Sequence, residues 1–305
     1  MISAAARTAL LDALGSAVRF DVPLSRFTSL RVGGAADALA SPPDRKTLGA
    51  GLRACAEHGV PVTVLGNGFN TLVRDGGVAG LVLRLHALKS LAREAGGPLR
   101  AEAGVTHASL TRHCVEHGLA GLEFGAGIPG TVGGWIAMNA GVPEREVKDV
   151  VDDVLVMEKD GAERSLAPDA LRFEYRRAAG LPDGAVVVAA AFRVRDSSRS
   201  EVQEEVDRHL EKRQRTQPLD VPSCGSVFKN PPGDFAGRLI EAAGLKGARM
   251  GGAEISSVHA NFIVNRGGAT ARDVLALIDR ARRTVRAGSG IELEPEVRIV
   301  GREAA

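Results

Sequence analysis

Glycine is concentrated in two short windows, and this clustering restricts the possible folds more than any other feature of the sequence. Residues 59–80 contain six glycines and residues 121–141 contain seven, out of 37 in the 305-residue chain. Because glycine destabilises the interior of helices and strands, neither window can form one regular element. Glycine also permits positive φ angles and lets the backbone approach a ligand without an intervening Cβ. The two windows therefore predict irregular loops in which the backbone can approach a ligand closely.

The overall composition excludes several classes of protein. The glycines follow no Gly-X-Y period, which excludes collagen, and 44% hydrophobic with 25% charged residues excludes a disordered chain. A formal net charge of +2 gives no broad basic surface for nucleic acid. With no signal-peptide pattern and no apolar stretch long enough to span a bilayer, we expect a cytoplasmic protein that does not enter the membrane.

The cysteines and histidines indicate no metal site. Three widely spaced cysteines, without a Cys-x-x-Cys pair, favour neither a disulfide framework nor structural zinc and are typical of a reducing compartment. His113 and His117 lie four residues apart on a predicted helix, but no third ligand cluster accompanies them. We therefore expect no bound metal.

The second glycine window contains a formal Gly-x-Gly-x-x-Gly motif at residues 125–130. In a Rossmann domain this motif follows a buried strand and begins a helix. The residues before it are too few and too glycine-broken for such a strand, and Pro129 with the Gly133-Gly134 pair disfavours a helix. A ligand-lining loop is the better interpretation.

The first window offers a similar loop at residues 66–70, directly after a predicted strand. Several backbone N–H donors in such a turn suit a diphosphate, although an ordinary turn at a strand end has the same pattern. Two loops of this kind in one chain favour a single large cofactor that carries phosphate.

Hydrophobic periodicity and turn signals predict interleaved helices and strands, interrupted by the glycine segments. This arrangement favours an α+β fold. Near residue 197 a polar turn precedes a strongly charged helix, whose charges are typical of a solvated face, and we expect a domain boundary there. The predicted helices are 4–17, 44–58, 109–117, 199–216, 235–243 and one from 270, and the predicted strands are 60–65, 81–85, 99–103, 150–158, 186–194, 261–264 and 291–300.

Two segments near the end of the chain contain residues suited to chemistry. Residues 223–232 bring a hydroxyl, a cation and an amide into one turn bounded by prolines, and such loops often carry function. Cys224 in this turn could act as a nucleophile with His259 as its base, but nothing in the local pattern supports that role. Residues 292–297 place carboxylates beside a proline in an apolar strand, for which a salt-bridged surface strand is an equally good interpretation.

Taken in order, these motifs resemble the UDP-N-acetylenolpyruvoylglucosamine reductases, the MurB-type flavoenzymes of peptidoglycan synthesis. The resemblance extends over essentially the whole chain, from residues 30–34 to residues 293–297. The two glycine loops alone indicate only the wider FAD-binding fold of the vanillyl-alcohol-oxidase type, whereas the later motifs are specific to this family. The motifs are residues 66–70, 127–134, 225–231, 236–247 and 259–262.

The resemblance implies an α+β protein with an FAD-binding domain of the vanillyl-alcohol-oxidase type in two subdomains, residues 1–80 and 81–197. A C-terminal α+β substrate-binding domain would cover residues 198–305, and its last strand can return to the first subdomain. The implied reaction is NADPH-dependent reduction of UDP-N-acetylglucosamine enolpyruvate to UDP-N-acetylmuramate, with non-covalently bound FAD as hydride carrier. NADPH, as co-substrate, and the UDP-sugar would share one pocket of a monomeric enzyme.

Residue by residue, the resemblance assigns catalysis to Arg176, Ser226 and Glu296. The arginine and the protonated acid would stabilise negative charge on the substrate carboxylate, and the serine would protonate the neighbouring carbon, with Lys229 nearby. The spacing from Arg176 to Ser226 matches the family branch that lacks an inserted substrate-covering element. Substrate contacts fall on Tyr175, Lys229, Asn230 and His259. Cofactor contacts fall on Gly66, Asn67, Gly68, Phe69, Asn70, Gly127, Ile128, Pro129, Gly130, Thr131, Gly133, Gly134 and Asn139.

The sequence departs from the family pattern at several positions near the expected flavin. Phe69 stands where the family usually has serine, and Trp135 where a small residue is common. Val142 and Pro143 replace the usual Tyr-Gly, and Ala178 replaces a serine. The alternatives are therefore another FAD-linked oxidoreductase of the same fold, or a catalytically silent protein that binds flavin or a nucleotide sugar.

Overall fold

The computed structural model describes residues 2–93 and 96–304. Within these ranges the chain forms eight α-helices. The helices are α1 (Ala4–Leu14), α2 (Arg45–Glu57), α3 (His107–Glu116), α4 (Val132–Ala137), α5 (Pro168–Leu171), α6 (Arg199–Thr216), α7 (Ala236–Ala242) and α8 (Ala271–Ser289).

The strands of the described residues are mostly short, and their pairings are mainly antiparallel. They are β1 (Val18–Pro23), β2 (Ala35–Ala40), β3 (Val62–Val64), β4 (Thr71–Val73), β5 (Val78–Leu83), β6 (Leu91–Arg93), β7 (Leu99–Glu102), β8 (Leu119–Ala120), β9 (Gly141–Val142), β10 (Arg145–Glu146), β11 (Val151–Met157), β12 (Glu163–Leu166), β13 (Phe173–Glu174), β14 (Arg177–Ala178), β15 (Val186–Phe192), β16 (Arg195–Asp196), β17 (Ser223–Ser226), β18 (Arg249–Met250), β19 (Ala253–Ile255), β20 (Phe262–Asn265) and β21 (Arg298–Val300).

The chain divides into two compact units, each built from three separate segments. The first unit comprises residues 1–20, 38–66 and 80–213, and the second comprises residues 21–37, 67–79 and 214–305. The predicted division at residues 80 and 197 concerns ligand-binding domains, and it stays a prediction.

In the first unit, a five-stranded antiparallel sheet has the order β12-β11-β15-β7-β6. Its central strand, β15, is a run of Val, Ala and Phe, almost all of them buried. Such a continuous apolar run is expected for a strand covered on both faces. The buried side chains of α3 and α4 join this core. A second core forms around α1 and α2 together with the parallel pair β3 and β5.

In the second unit, the sheet β17-β20-β19-β18 packs with α7 and α8 around one core. Helix α8 buries Val274, Ile278, Ala281 and Val285 along one face, the spacing of an amphipathic helix. The helix begins, as predicted, after Thr270, which forms a capping box with Asp273. Strand β21 pairs in parallel with β4, so the last strand contacts a strand of the predicted range 1–80.

The α+β class is confirmed, and most predicted elements are present with shifted ends. The first helix ends at Leu14 rather than residue 17 because Gly15 adopts a positive φ of 53° and forms its C-cap. The predicted strand over 291–300 is shortened to β21, since Pro295 has no N–H to donate and forms only an isolated bridge with Phe228. Strands β1, β2 and β4 were among several that were not predicted, as were most of the two-residue strands. Helix α4 forms although the Gly133-Gly134 pair within it was expected to disfavour a helix.

Candidate active site

The glycine loops of the first unit form a bare surface around one hydroxyl. Thr131, buried at the start of α4, makes no side-chain cap bond. A Cβ on Gly66 would lie 3.0 Å from Thr131 Oγ1, and one on Gly134 would lie 3.8 Å from it. A Cβ on Gly130 would meet nothing within 4 Å. A hydroxyl flanked by glycines without side chains fits the diphosphate of a dinucleotide cofactor, because backbone and hydroxyl can both approach it.

Two further glycines, both in the window 121–141, make room for neighbouring side chains. A Cβ on Gly127 would lie 2.7 Å from Cδ of Arg213, and one on Gly125 would lie 2.0 Å from Cη2 of Trp135. Trp135 is almost fully buried and stacks on His107, with ring centroids 3.7 Å apart. The tryptophan is therefore accommodated by the absence of a side chain at Gly125.

Arg213 corrects one expectation about the charged helix α6. Its charges were predicted to form a solvated face, but burial, together with the charge of Arg176, lowers the pKa of Arg213 to about 10. Nothing in the sequence distinguishes Arg213 from the other cations of α6, because only tertiary packing buries it.

Arg176 lies at the tip of a two-residue hairpin between β13 and β14. Its backbone has a φ of 59°, in the left-handed region that non-glycine residues rarely adopt. Nη1 donates to Glu146 Oε1 at 3.2 Å and Nη2 to the carbonyl of Gly141 at 3.4 Å, while the guanidinium stacks on Tyr175. The hairpin thus presents a largely buried guanidinium whose plane is fixed by the protein.

Asn139 is fully buried, also at positive φ, and its side chain serves the fold. Nδ2 donates to Glu146 Oε2 at 2.9 Å and to the carbonyl of Glu174 at 3.0 Å, and Oδ1 accepts from the amide of Lys148 at 3.0 Å. The predicted cofactor contact of Asn139 remains a prediction, and it would come through the loop that this side chain holds.

In the second unit, the structure brings Ser226 and Glu296 onto neighbouring backbone segments. The amide of Glu296 donates to the carbonyl of Val227 at 2.8 Å, and the amide of Lys229 donates to the carbonyl of Glu294 at 2.9 Å. The buried Asn261 side chain fixes the same turn, since it accepts from the amide of Phe228 at 2.9 Å and donates to the Phe228 carbonyl at 2.8 Å.

Residues 67–70 of the predicted diphosphate loop belong to this second unit. Asn70 Nδ2 donates to the carbonyl of Glu296 at 3.2 Å. The carbonyl of Phe69 lies 3.6 Å from where a Cβ on Gly225 would be. Ser29 Oγ donates to the carbonyls of Gly68 at 2.9 Å and Ser223 at 2.6 Å, so it joins the loop to β17. Residues 69–70, 225–229 and 294–298 therefore form one neighbourhood.

The predicted substrate residues of the second unit already have protein contacts. Lys229 Nζ forms an ion pair with Glu294 Oε1 at 2.5 Å. Asn230 Oδ1 accepts from the amide of Ala236 at 3.1 Å, at the start of α7. His259 Nδ1 accepts from the amide of Asn261 at 3.2 Å, and burial, with a smaller effect of the Lys246 charge, lowers the pKa of His259. Contacts within the protein therefore hold all three side chains, and their substrate contacts remain predictions.

The thiol and metal alternatives gain no support. Burial raises the pKa of Cys224 to about 12, so the thiol is not ionised at neutral pH and is a poor nucleophile. His113 and His117 stack on each other, and within residues 2–93 and 96–304 no group of three His, Cys, Asp or Glu side chains could hold a metal ion. Over the same part of the chain, every helix is too short or too polar to cross a bilayer.

Three residues near the predicted site were missed in the sequence. Glu146 and Arg213 contact or neighbour Arg176, and Asn261 fixes the turn after Ser226. Asn261 alone carried a signal, because a polar side chain in an otherwise apolar strand needs a specific partner when buried. Glu146 and Arg213 look like ordinary surface charges until the chain is folded.

Two family comparisons match separate parts of the chain. Residues 36–167 match the family described as "FAD binding domain", and all the predicted cofactor residues fall in this range. Residues 217–300 match "UDP-N-acetylenolpyruvoylglucosamine reductase, C-terminal domain", which includes Ser226 and Glu296.

Individual relatives cover nearly the whole chain. UDP-N-acetylenolpyruvoylglucosamine reductase of Rubrobacter xylanophilus is 47% identical over 95% of this chain and 98% of its own length. That of Anaeromyxobacter dehalogenans is 52% identical over 92% of this chain and 85% of its own. The crystal structure of UDP-N-acetylenolpyruvylglucosamine reductase (MurB) from Thermus caldophilus superposes with a TM-score of 0.81 and 37% sequence identity. The match covers 93% of this chain and 100% of the Thermus chain.

A more distant structure shares the fold alone. A variant of Physcomitrella patens BBE-like 1 matches 63% of this chain and 44% of its own, with a TM-score of 0.51 and 18% identity. The fold predicted from the glycine loops is thus confirmed. The chain belongs to the UDP-N-acetylenolpyruvoylglucosamine reductase family and combines an FAD-binding domain of the vanillyl-alcohol-oxidase type with the family's C-terminal domain.

Proposed function

We propose that the protein reduces UDP-N-acetylglucosamine enolpyruvate to UDP-N-acetylmuramate with NADPH and bound FAD, a step of peptidoglycan precursor synthesis. The observation that carries the proposal is the near full-length identity to reductases of this name, 47% over 95% of the chain. The hydrogen-bonded neighbourhood of Ser226 and Glu296 supports it, because this reaction needs a proton donor and an acid near one carboxylate.

FAD would be held without a covalent bond by the two glycine loops. Gly66, Thr131 and Gly134 offer a bare, hydroxyl-lined surface suited to a diphosphate, and the family resemblance assigns further cofactor contacts to residues 67–70. When bound, FAD would carry reducing equivalents from NADPH to the substrate double bond. NADPH and the UDP-sugar would use one pocket in turn, since no Rossmann pattern provides a separate dinucleotide domain.

The three catalytic residues have complementary tasks. Reduction of the enolpyruvyl double bond leaves negative charge spread into the adjacent carboxylate until the second carbon is protonated. Arg176 would stabilise that charge through a charge-assisted pair, and a protonated Glu296 would donate a further hydrogen bond. Ser226 Oγ would give its proton to the carbon. Tyr175, Lys229, Asn230 and His259 would hold the rest of the substrate.

Ser226→Ala tests the proton donor. We expect NADPH to reduce the bound FAD at the wild-type rate, while reoxidation by the substrate slows by several orders of magnitude, since no other group replaces the hydroxyl proton. Stopped-flow flavin absorbance measures both half-reactions. Ser223→Ala, a serine of the same strand, is the matched control. Reoxidation of the Ser226 variant at near wild-type rate would show that the serine assignment is wrong.

The competing functions are separated by two simple measurements. The purified protein should be yellow, and its NADPH oxidation should depend on UDP-N-acetylglucosamine enolpyruvate. A yellow protein inert towards this substrate would favour another FAD-linked oxidoreductase or a silent flavin-binding protein. A colourless protein that gains no FAD on reconstitution would exclude both flavoenzyme assignments.

The cellular setting follows from the proposed reaction. An enzyme of peptidoglycan precursor synthesis would act in the cytoplasm, and its loss would affect cell shape and division. We propose a monomer, because substrate, cofactor and co-substrate contacts are all assigned within one chain. Gel filtration of the FAD-loaded protein at micromolar concentration, with the mass measured by light scattering, tests this oligomeric state.

A further inference from the structure

Glu146 is the common partner of several groups around Arg176. Its Oε1 accepts from Arg176 Nη1 at 3.2 Å, and its Oε2 accepts from Asn139 Nδ2 and Lys148 Nζ, both at 2.9 Å. The side chain also accepts from the amide of Asp149 in a capping box. Only 13% of the Glu146 side chain and 16% of the Arg176 side chain is exposed, so water screens this pair weakly.

The backbone conformation is restricted both at Glu146 and at its partners Arg176 and Asn139. Glu146 ends β10, where it pairs with Gly141, and a Cβ on Gly141 would lie 2.6 Å from Glu146 Cα. Arg176 and Asn139 both hold positive φ, at 59° and 41°. Such conformations cost on the order of 1–2 kcal/mol each and persist when surrounding contacts enforce them. The hydrogen bonds to Glu146 supply such contacts at both positions.

We propose that Glu146 is a positioning residue that sets the plane and location of the Arg176 guanidinium for the substrate carboxylate. The inference rests on the proposed role of Arg176. Asn139 and Lys148 hold one carboxylate oxygen of Glu146, so the other faces Arg176 in a fixed direction. Glu146 itself touches no reacting atom, and its effect on the rate passes through the arginine.

The role requires the negative charge and not only the shape of the side chain. The carboxylate pairs with both Arg176 and Lys148, and the charge of Arg176 contributes to the lowered pKa of Arg213 in the same unit. A neutral amide in its place would have to face an Arg176 N–H and an Asn139 N–H with one oxygen and one NH₂ group. One of those contacts must then break, which lets the guanidinium move.

Glu146→Gln tests the proposal, with Glu144→Gln as the matched control. Glu144 is exposed in the same β9–β10 hairpin and carries the same charge. We expect Glu146→Gln to keep FAD reduction by NADPH within twofold of wild type and to slow reoxidation by substrate by about 10- to 100-fold, the range for a misplaced catalytic group. Glu144→Gln should leave both half-reactions unchanged.

A double-mutant cycle separates positioning from general damage. In an Arg176→Ala background, Glu146→Gln should change reoxidation less than twofold, because its effect passes through the arginine. A further 10- to 100-fold loss in that background would overturn the proposal. If Arg176→Ala alone left reoxidation near wild type, the proposed function of Arg176 would fail instead, so the two failures are distinct.

A spectroscopic readout does not depend on activity. Tyr175 is the only tyrosine, and Arg176 Cζ lies 4.7 Å from its ring centroid. With 3-fluorotyrosine incorporated, the ¹⁹F resonance of Glu146→Gln should move towards that of Arg176→Ala, whereas Glu144→Gln should keep the wild-type shift. A wild-type resonance in Glu146→Gln would overturn the proposal, even for a variant that loses FAD.

Discussion

At the residue scale, the candidate site depends on backbone conformations that side-chain type does not reveal. The family resemblance points to Arg176, yet neither its positive φ nor its pair with Glu146 follows from the sequence. The two residues are 30 positions apart, and neither a two-residue strand, which contains Glu146, nor a two-residue turn, which contains Arg176, has a periodicity to detect. Ser226, in contrast, lies in a turn whose composition already indicated chemistry, whereas Glu296 was assigned by the family resemblance because its segment fitted a salt-bridged surface strand equally well.

Two glycines allow a test of whether close packing, rather than backbone conformation alone, requires glycine in the first loop. Gly68 has a φ of 69°, and a Cβ there would lie 2.5 Å from the Phe27 carbonyl oxygen and 2.7 Å from Thr28 Cα. Gly233 has a φ of 77° with nothing within 4 Å of its Cβ position. We expect Gly233→Ala to cost about 1 kcal/mol of unfolding free energy, from backbone strain alone.

Gly68→Ala should cost about 3 kcal/mol or more, because the backbone atoms in its way can move only by distorting the loop. Urea denaturation of the two variants and wild type, all FAD-loaded, measures the difference. Equal losses for both variants would mean that close packing does not require glycine at position 68.

At the scale of elements, long helices were predictable and short strands were not. Helices α6 and α8 have many turns of periodic sequence, and the predicted span of α6 matches the structure. Four of the six residues of strand β2 are alanine, and the strand is buried because of its neighbours, which no local pattern reveals. The missing N–H of Pro295, which limits the pairing of the closing strand, is visible in the sequence, whereas its isolated bridge to Phe228 is not.

The packing of α3 against α4 predicts acid sensitivity. His107 begins α3 and stacks on Trp135 of α4. Burial, reinforced by the charge of Arg213, lowers the pKa of His107 from 6.5 to about 3. Because the unfolded chain takes up the proton first, this contribution to stability is complete above pH 6.5 and is lost as the pH falls towards 3.

Between pH 7 and pH 5 the loss from His107 should approach about 2 kcal/mol, at about 1.4 kcal/mol per pH unit below 6.5. Replacing His107 by Gln should remove that part of the pH dependence in urea denaturation. His117→Gln, exposed just after the end of α3, is the control and should keep the wild-type slope. An unchanged slope in His107→Gln would contradict this account.

For the whole molecule, the sequence predicted the class, the cofactor type and the family, but not the compact units. Those units interleave along the chain, with segments 21–37 and 67–79 grouped with the C-terminal residues. Contacts such as Ser29 to Ser223, 194 residues apart, decide that grouping. Local periodicity carries no information about pairs at that separation.

Cofactor removal is the matching test for the whole molecule. FAD binds the folded chain, so adding it to deflavinated protein should raise stability by mass action, by about 2.7 kcal/mol at a hundred times its dissociation constant. Thermal melts over an FAD titration measure this effect. FMN, which lacks the adenosine and the diphosphate linkage, should stabilise far less. A melting temperature independent of FAD would contradict the proposed cofactor site.

The interleaving of the two units also affects synthesis on the ribosome. Residues 67–79 emerge early, but residues 214–305, which complete their unit, follow only after 134 intervening residues. At 5–20 residues per second that delay is about 7–27 s. During it, Leu30, Val32 and Leu72 of the second unit's core lack the partners that bury them. Nascent chains of this protein would therefore expose an apolar surface to chaperones until translation is nearly finished.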